Sequence, residues 1–507
     1  MTVKVMHRLL ALIMTVIMFA SININTALAA DDGYPVSYTY NYDYWGDIRE
    51  SPDAYRVDQV IYSVDLGLDT AMRKPQSLFV QGNDLYVCDT GNNRILHLNR
   101  NGNEFTLVRV IDTVLGAEPN TFNTPNDVAV DPEGNIYVAD TNNSRVVMMD
   151  KDLNYVQQFV KPTDSTFDQS LSFLPNKIVV DKSGRVFVLA SNVNKGLVKF
   201  EANTTFTGFV GANKVSYNFF DYIWKMYFST KEQRAQQVAF VPTEYCNIYM
   251  DADSFIYATN ISFSEYDLLS DVAQPIRRLN GIGNDILIKN DRYPPIGDLY
   301  WVEQSIPMGP SKLVDITVLD NDIYIAVDQT RGRIFGYDSQ GIMLWAFGTT
   351  GNSEGTFTSA ISIEHMGKDL LVLDQNGGNI TVFTPTEYGN LIYDASESYL
   401  KGDYDGSAEK WEEVLKLNAN YNLAFIGIGR SLLRQDEYIK AMEYFEMAHD
   451  RDNYGRSFRL YRKVWVEENI GWVVAVLACL VIIPLVKHSV NKIRMEVAAY
   501  ERNQVRK

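Results

Sequence analysis

Between residues 77 and 383 the apolar positions fall into short runs separated by turn residues, and the runs recur in sets. Six times a first run appears: SLFV at 77, DVAV at 127, KIVV at 177, NIYM at 247, DITV at 315 and AISI at 360. After a turn such as PEGN (132–135) or KSGR (182–185) comes a second (LYVCD, IYVAD, VFVLA, FIYAT, IYIAV, LLVLD), then a third (RILHL, RVVMM, GLVKF, PIRRL, RIFGY, NITVF). Five units add a fourth: TLVRVI near 107, YVQQFV at 155, TFTGFV at 205, ILIKN at 286 and IMLWAF at 342. Four short strands per unit predict propeller blades, each needing neighbours to bury its two faces. The sixth unit lacks a fourth run, and VIYSVDLG (60–67) before KPQSLFV parallels LVRVIDTVLG (107–116) before TPNDVAV. An N-terminal strand is therefore expected to close the ring against the last blade, which removes its free edges.

Between second and third strands the first two units read DTGNNR (89–94) and DTNNSR (140–145). An acid, a hydroxyl, amides and an arginine in one cluster suit a reactive site or a turn. Asp, Thr and Asn hold reversals through bonds to nearby backbone, Gly or Asn accept a positive φ, and the arginine can reach the acid across the turn. The pattern resembles NHL-repeat β-propellers. Unit five matches partly (Asp328, Arg331, Arg333), unit six weakly (Asp374, Asn376), and units three and four hardly at all. The resemblance covers residues 57–385 and implies an all-β six-bladed propeller, interrupted by insertions at 212–242 and 262–311. The first insertion holds an aromatic run with Tyr222 and Trp224, then Ser229-x-x-Glu232, a helix-capping pattern. It predicts a helical excursion that packs on the propeller or forms an aromatic binding lip.

Residues 30–56 are Tyr-rich. Tyr38, Tyr40, Tyr42 and Tyr44 alternate, so an extended segment presents them on one face, to stack on a sugar or cover an apolar edge. After Pro385 the period turns helical. Gly402-Asp403-Tyr404 and Asp436-Glu437-Tyr438 recur at a spacing of 34, which also superposes Trp411 on Phe445 and Ala395 on Gly429. Residues 386–467 thus resemble a pair of tetratricopeptide repeats with a capping helix, expected to dock on the propeller or a partner or to act as a stalk.

The two ends point to a membrane. Residues 1–29 have a basic start (Lys4, Arg8), an apolar run and Ala27-Leu28-Ala29, the layout of a secretory signal. Ile470 to Val486 is 17 uncharged residues, about 25 Å of helix, near the lower limit for a bilayer. A transmembrane helix at 468–487 and a cytoplasmic tail at 488–507 follow, with the propeller outside the cell membrane. A formal charge of -17 disfavours nucleic acid as a partner. Of three cysteines, Cys479 lies in the apolar span, and Cys88 and Cys246 belong to blades one and four, too far apart to pair.

Five histidines (His7, His97, His365, His449, His488) are scattered without metal-ligand spacing, which argues against the histidine-zinc lyase type of NHL enzyme. Propeller chemistry usually sits at the channel mouth, on the innermost strands. Aligning the units places Ser77, Asp127, Lys177, Asn247, Asp315 and Ala360 at one level, with Gln76, Asn126, Asn176 and Glu244 nearby. Asp127, Lys177, Asn247 and Asp315, with Tyr222 and Trp224, are the candidate ligand-binding residues. The acids and amides also resemble gluconolactonase-like propellers, which implies an alternative: a metal-assisted lactone or ester hydrolase with one divalent cation on Asp127, Asn176 and Asp315. Lys177 would repel such a cation, and a salt bridge from Lys177 to Asp127 is the structural alternative. No cofactor is otherwise expected. The favoured reading is a tethered binding or scaffolding module for a protein or glycan partner, its helical repeats facing a membrane partner. Resemblance to signal–propeller–repeat–anchor chains of Gram-positive bacteria implies a companion to solute uptake.

Overall fold

The computed structural model describes residues 39–43, 45–46, 48–211, 245–263, 267–268, 274–289, 294–298 and 309–505. The leader, Tyr38, Tyr44, the capping pattern of the first insertion, Tyr222, Trp224 and Glu244 lie outside them.

Six antiparallel sheets follow the six units. Each begins at the channel and runs outward: Ser77–Gln81, Pro125–Val130, Leu174–Val180, Tyr245–Met250, Leu313–Val318 and Ala360–Met366 are the inner strands. The second strands are buried almost throughout, as in Ile136–Asp140 and Tyr324–Asp328, because neighbouring blades cover both their faces. Accordingly there is an apolar core between each adjacent pair of blades. Tyr86, Ile95 and Ile111 meet Val128, Val138 and Val147 between the first and second, and Phe159 meets Phe200 between the second and third.

The ring closes as the sequence predicts. Tyr55–Tyr62 pairs antiparallel with Asn379–Pro385, the third strand of the last blade, with Ile61 opposite Ile380 and Tyr55 opposite Pro385. The fourth blade departs from expectation, having three strands among the described residues. ILIKN follows Ile276–Leu279 but pairs only briefly, with Ile286 N donating to Arg278 O at 2.7 Å. The Asp285 carboxylate accepts from the Arg278 and Leu287 amides, so local turn bonds replace the ladder.

The Tyr-rich segment covers an edge. Tyr40–Tyr42 and Ile48–Glu50 form a hairpin that joins the fifth blade through Met343–Phe347, making a six-stranded sheet. Tyr40 is buried, and both Tyr40 and Tyr42 hydroxyls donate to Asp298 at 2.6 and 2.7 Å.

Two helical hairpins and a long helix follow: α1 (Glu387–Leu400), α2 (Tyr404–Leu417), α3 (Asn422–Arg434), α4 (Tyr438–Met447) and α5 (Arg451–Val505). The chain enters α1 directly from the closing blade, with Thr386 as N-cap accepting from Gly389 N. Gly389 is there for contact, since a Cβ would lie 2.1 Å from Ala54 O. The helices dock on the propeller. Ile392, Trp411, Tyr421 and Ile428 share one core with Trp345, Phe347 and Phe383 of the fifth and sixth blades. Tyr421 also donates to Leu344 O at 2.7 Å, and Arg430 lies 3.6 Å from Asp338. Helix α5, 55 residues long, packs first on α4 and is exposed from Ile470 to Ala499. It is the one helix among the described residues long and apolar enough to cross a membrane.

Candidate functional site: the belt and cavity of the central channel

The DT-x-N-x-R motif is turn chemistry. Asp89 Oδ1 accepts from Arg73 N at 2.7 Å, while Oδ2 accepts from Asn92 Nδ2 and from Arg94 Nε at 2.9 and 2.7 Å. Asp140 repeats this with Asn123 N, Asn143 and Arg145. The positive φ falls on Asn93 and Ser144, not on Gly91 or Asn142. The threonines tie blade to blade: Thr90 Oγ1 donates to Pro125 O, and Thr141 Oγ1 to Pro175 O, each at 2.6 Å. In the fifth blade Arg333 turns instead to Asp298 at 3.3 Å and stacks on Tyr40.

On the inner strands a single level carries Ser77, Asp127, Lys177, Asn247, Asp315 and Ser362, each opposite the second strand at an equivalent register: Cys88, Ala139, Leu189, Thr259, Val327 and Leu373. Four of the sequence candidates, Asp127, Lys177, Asn247 and Asp315, are thus brought together. Ala360 is not at this level. The same bulge precedes the belt residue in the second to the sixth blade, so Ala360 lies opposite Asp374 as Pro125 lies opposite Asp140, and Ser362 takes the place.

These six side chains are buried and bond to one another across blade boundaries. Asp127 accepts from Ser77 Oγ at 2.5 Å and from Ile178 N at 2.7 Å, with Lys177 Nζ 3.8 Å away; Lys177 also donates to Ser77 Oγ at 3.1 Å. Asp315 accepts from Asn247 Nδ2, from Ile316 N at 2.7 Å, from Ser362 Oγ at 2.6 Å and from Ile363 N at 2.8 Å. Leu78 N donates to Ser362 Oγ at 3.1 Å. A belt of polar bonds therefore stitches the fourth, fifth, sixth, first, second and third blades in succession. Burial pushes Asp315 up to about 6, against Lys177 and its donors, and also raises Asp127. Burial acts to lower Lys177, but the Asp127 and Asp315 carboxylates outweigh it and hold the ammonium above its usual range.

Asn176 stands outside the belt, its Oδ1 accepting from Asn126 Nδ2 at 3.1 Å. Among the described residues no three His, Cys, Asp or Glu side chains are grouped to hold a metal. Cys88 is a free thiol in the core between the first two blades, and Cys246, also free, faces Leu313 O and Val314 O between the fourth and fifth.

Beside the belt lies a cavity of about 610 Å³, running toward the turns between first and second strands. Gly82, Pro132, Lys182, Ala252 and Gly367 are its exposed rim. Phe79, Val179, Tyr249, Glu364 and His365 line it, together with Ser77, Asp127, Lys177, Asn247 and Asp315 of the belt. Glu364 and His365 are residues that the sequence alignment missed, because it placed the sixth blade two positions early. Their signal was present: a glutamate within an otherwise apolar inner strand is a charged residue at an inward position.

The molecule is a six-bladed β-propeller containing an NHL repeat. A model of the NHL repeat matches residues 122–147, spanning the inner strand of the second blade through its DTNNSR turn. No curated protein matches the chain. Among solved structures it is similar to a streptogramin B lyase, at 14% identity over 68% of this chain and 86% of that one, TM-score 0.37. It is also similar to a catalytically inactive virginiamycin B lyase from Staphylococcus aureus with quinupristin, at 12% identity over 65% and 99%, TM-score 0.40. A third is a protein of unknown function from Bacteroides thetaiotaomicron, at 12% identity over 69% and 76%, TM-score 0.39.

Proposed function

We propose that this chain is a membrane-tethered binding platform: an exported propeller, braced by tetratricopeptide-like hairpins, that receives a protein or glycan partner outside the cell and assists solute uptake. The observation that carries the reading is the continuity of α5. It packs on α4, whose neighbours share the propeller's core, and the same helix enters an exposed apolar stretch. A propeller fused in this way to one span is held at a set orientation to the bilayer, as a docking platform needs and a diffusing enzyme does not. On this reading residues 1–29 are a leader and 488–507 face the cytoplasm. The hydrolase alternative has less support, because Asp127 and Asp315 already accept from donors of their own chain, leaving few lone pairs for a cation.

The test is membrane extraction and crosslinking in the native host. The full chain should resist alkaline carbonate, expose its propeller to external protease, and crosslink through the propeller to a membrane protein of an uptake system. A chain ending before Ile470 should leave the membrane fraction and lose that crosslink. A full chain released by carbonate, or a propeller protected in intact cells, would overturn the reading.

A further inference from the structure

The carboxylates of the belt are saturated, but Glu364 is not. It sits two residues beyond Ser362 on the inner strand of the sixth blade, is 7% exposed and lines the cavity. Its carboxyl meets Thr317 Oγ1 at 3.2 Å and the His365 amide. The same Thr317 Oγ1 is 2.7 Å from His365 Nδ1. A hydroxyl has one proton to give, so the chain of bonds has a direction. Either a protonated Glu364 donates to Thr317, which donates to a neutral His365, or the sequence runs the other way toward a charged Glu364.

The surroundings favour the first arrangement. Burial pushes Glu364 well above the usual carboxyl range, and the Asp315 and Asp127 carboxylates that face it push the same way. Burial pulls His365 down, with Asp320 opposing. Tyr249 flanks Glu364 from the fourth blade, its own phenol raised by burial and by this glutamate. Both shifts favour the uncharged forms, a carboxylic acid beside an imidazole. Yet the cavity as a whole is acidic. Besides Glu364, six aspartates line it (Asp127, Asp131, Asp181, Asp251, Asp315 and Asp320), against Lys177 and Lys182. Counting Arg185 and Arg278, which pair with Asp181 and Asp251 at 2.5 and 2.7 Å, the balance remains negative. Phe79 and Tyr249 supply aromatic wall, and about 610 Å³ is within the usual range for a small-molecule site.

We propose that this cavity binds a small organic cation, an aliphatic ammonium, with Glu364 as its counter-charge. Negative potential draws the cation in, aromatic faces hold its alkyl ammonium head, and the approaching charge ionises Glu364. The proton leaves Glu364 for Thr317 Oγ1 as the Thr317 proton passes to His365 Nδ1, and the half-buried imidazole gives up its Nε2 proton to water. One cation enters and one proton departs. Affinity therefore rises with pH, by about tenfold per unit, until Glu364 is ionised in the empty protein.

The inference rests on the propeller being the ligand-receiving part. The experiment is calorimetric titration of the detergent-solubilised full chain with choline and with putrescine, in buffers of differing ionisation heat, at pH 5.5 to 8. Choline is the sharper probe because its charge is fixed. The expected result is binding by at least one of them with close to one proton released, at least tenfold weaker binding by Glu364→Gln, and a clearly shallower pH dependence in that variant, where Asp315 alone still titrates near 6. The neutral isostere 3,3-dimethyl-1-butanol should bind at least tenfold more weakly than choline. Failure of both amines to bind at millimolar concentration overturns the proposal, as does equal binding by Glu364→Gln or by the neutral isostere. Carbonate resistance and the propeller crosslink of the unmutated chain and of Glu364→Gln are read in parallel. Their loss in the unmutated chain sinks the tethered platform, whereas their retention without amine binding sinks only the cation site.

Discussion

At the residue scale the belt shows how a buried carboxylate is made tolerable. Asp315 gives up water for four donors from three blades. Removing its charge while keeping its shape should be costly, because an amide nitrogen would then face a donor. Asp315→Asn is expected to lose about 3 kcal/mol or more, whereas Ser362→Ala, which removes one bond, should lose about 1 kcal/mol. Thermal melts of the two variants check this, and equal losses would show that the belt does not act as described. The raised carboxyls also set a pH dependence. With Asp315 held near 6 against an ordinary unfolded value near 3.8, the folded state carries more protons than the unfolded chain between those values. Stability must therefore fall as pH rises through that window, by roughly 2 kcal/mol between pH 4.5 and 6.5 from Asp315 alone. Asp127 and Glu364, raised as well, add with the same sign. His365, lowered by burial, contributes with the opposite sign, but one imidazole does not outweigh three carboxyls. Denaturant melts across this range should show declining stability, and a rise would sink the account. The sequence placed five of the six belt residues. It failed at the sixth because SIEH (362–365), the true counterpart of DVAV, has lost the apolar run, whereas AISI two positions earlier offers one.

At the scale of elements, the ring depends on a strand that precedes all the blades. Tyr55–Tyr62 is the outer strand of the last blade, with Tyr55 and Ile61 buried in two different inter-blade cores. Deleting 55–62 should leave Asn379–Pro385 as an open edge and lower the melting temperature by ten degrees or more, or prevent folding. Ile61→Ala, a smaller change at the same place, should cost about 2 to 4 kcal/mol. An unchanged melting temperature in both would mean that the ring is closed by something else. This closure was legible because the same apolar phrase occurs at 60–67 and at 107–116. The fourth blade was legible only in part. ILIKN has the composition of a strand, but Asp285 takes the amide of Arg278 on the neighbouring strand and that of Leu287 in ILIKN itself, and side-chain competition of this kind is invisible to hydrophobic pattern. The tyrosines at 40 and 42 were readable as one face. What they cover, Asp298 and the edge of the fifth blade, lies some 250 residues away in the chain and has no local signal.

At the scale of the molecule, the propeller and the helices are parts of one packed body. Tyr421 is fully buried, stands between α2 and α3, and spends its hydroxyl on Leu344 O of the fifth blade. Trp411 stacks against it, and a Cβ on Gly427 of α3 would lie 2.4 Å from the Trp411 ring nitrogen. The helical repeat spacing predicted the hairpins, with α2 and α4 starting at Tyr404 and Tyr438. It left open whether they were a stalk, because docking depends on which face of α1 and α3 meets the fifth and sixth blades. A stalk would unfold independently of what it carries, and a docked unit would not. Calorimetry of the solubilised chain, followed at the same time by the helical and strand signals of circular dichroism, is expected to give one coincident transition for both. Tyr421→Ala removes a buried ring and a bond at the junction itself, at a cost of about 3 to 5 kcal/mol, and should move both signals together. A helical transition that shifts while the strand transition stays in place would instead make the hairpins a separate domain. In that case the orientation of the propeller would no longer follow from α5, and the platform reading would lose the observation that carries it.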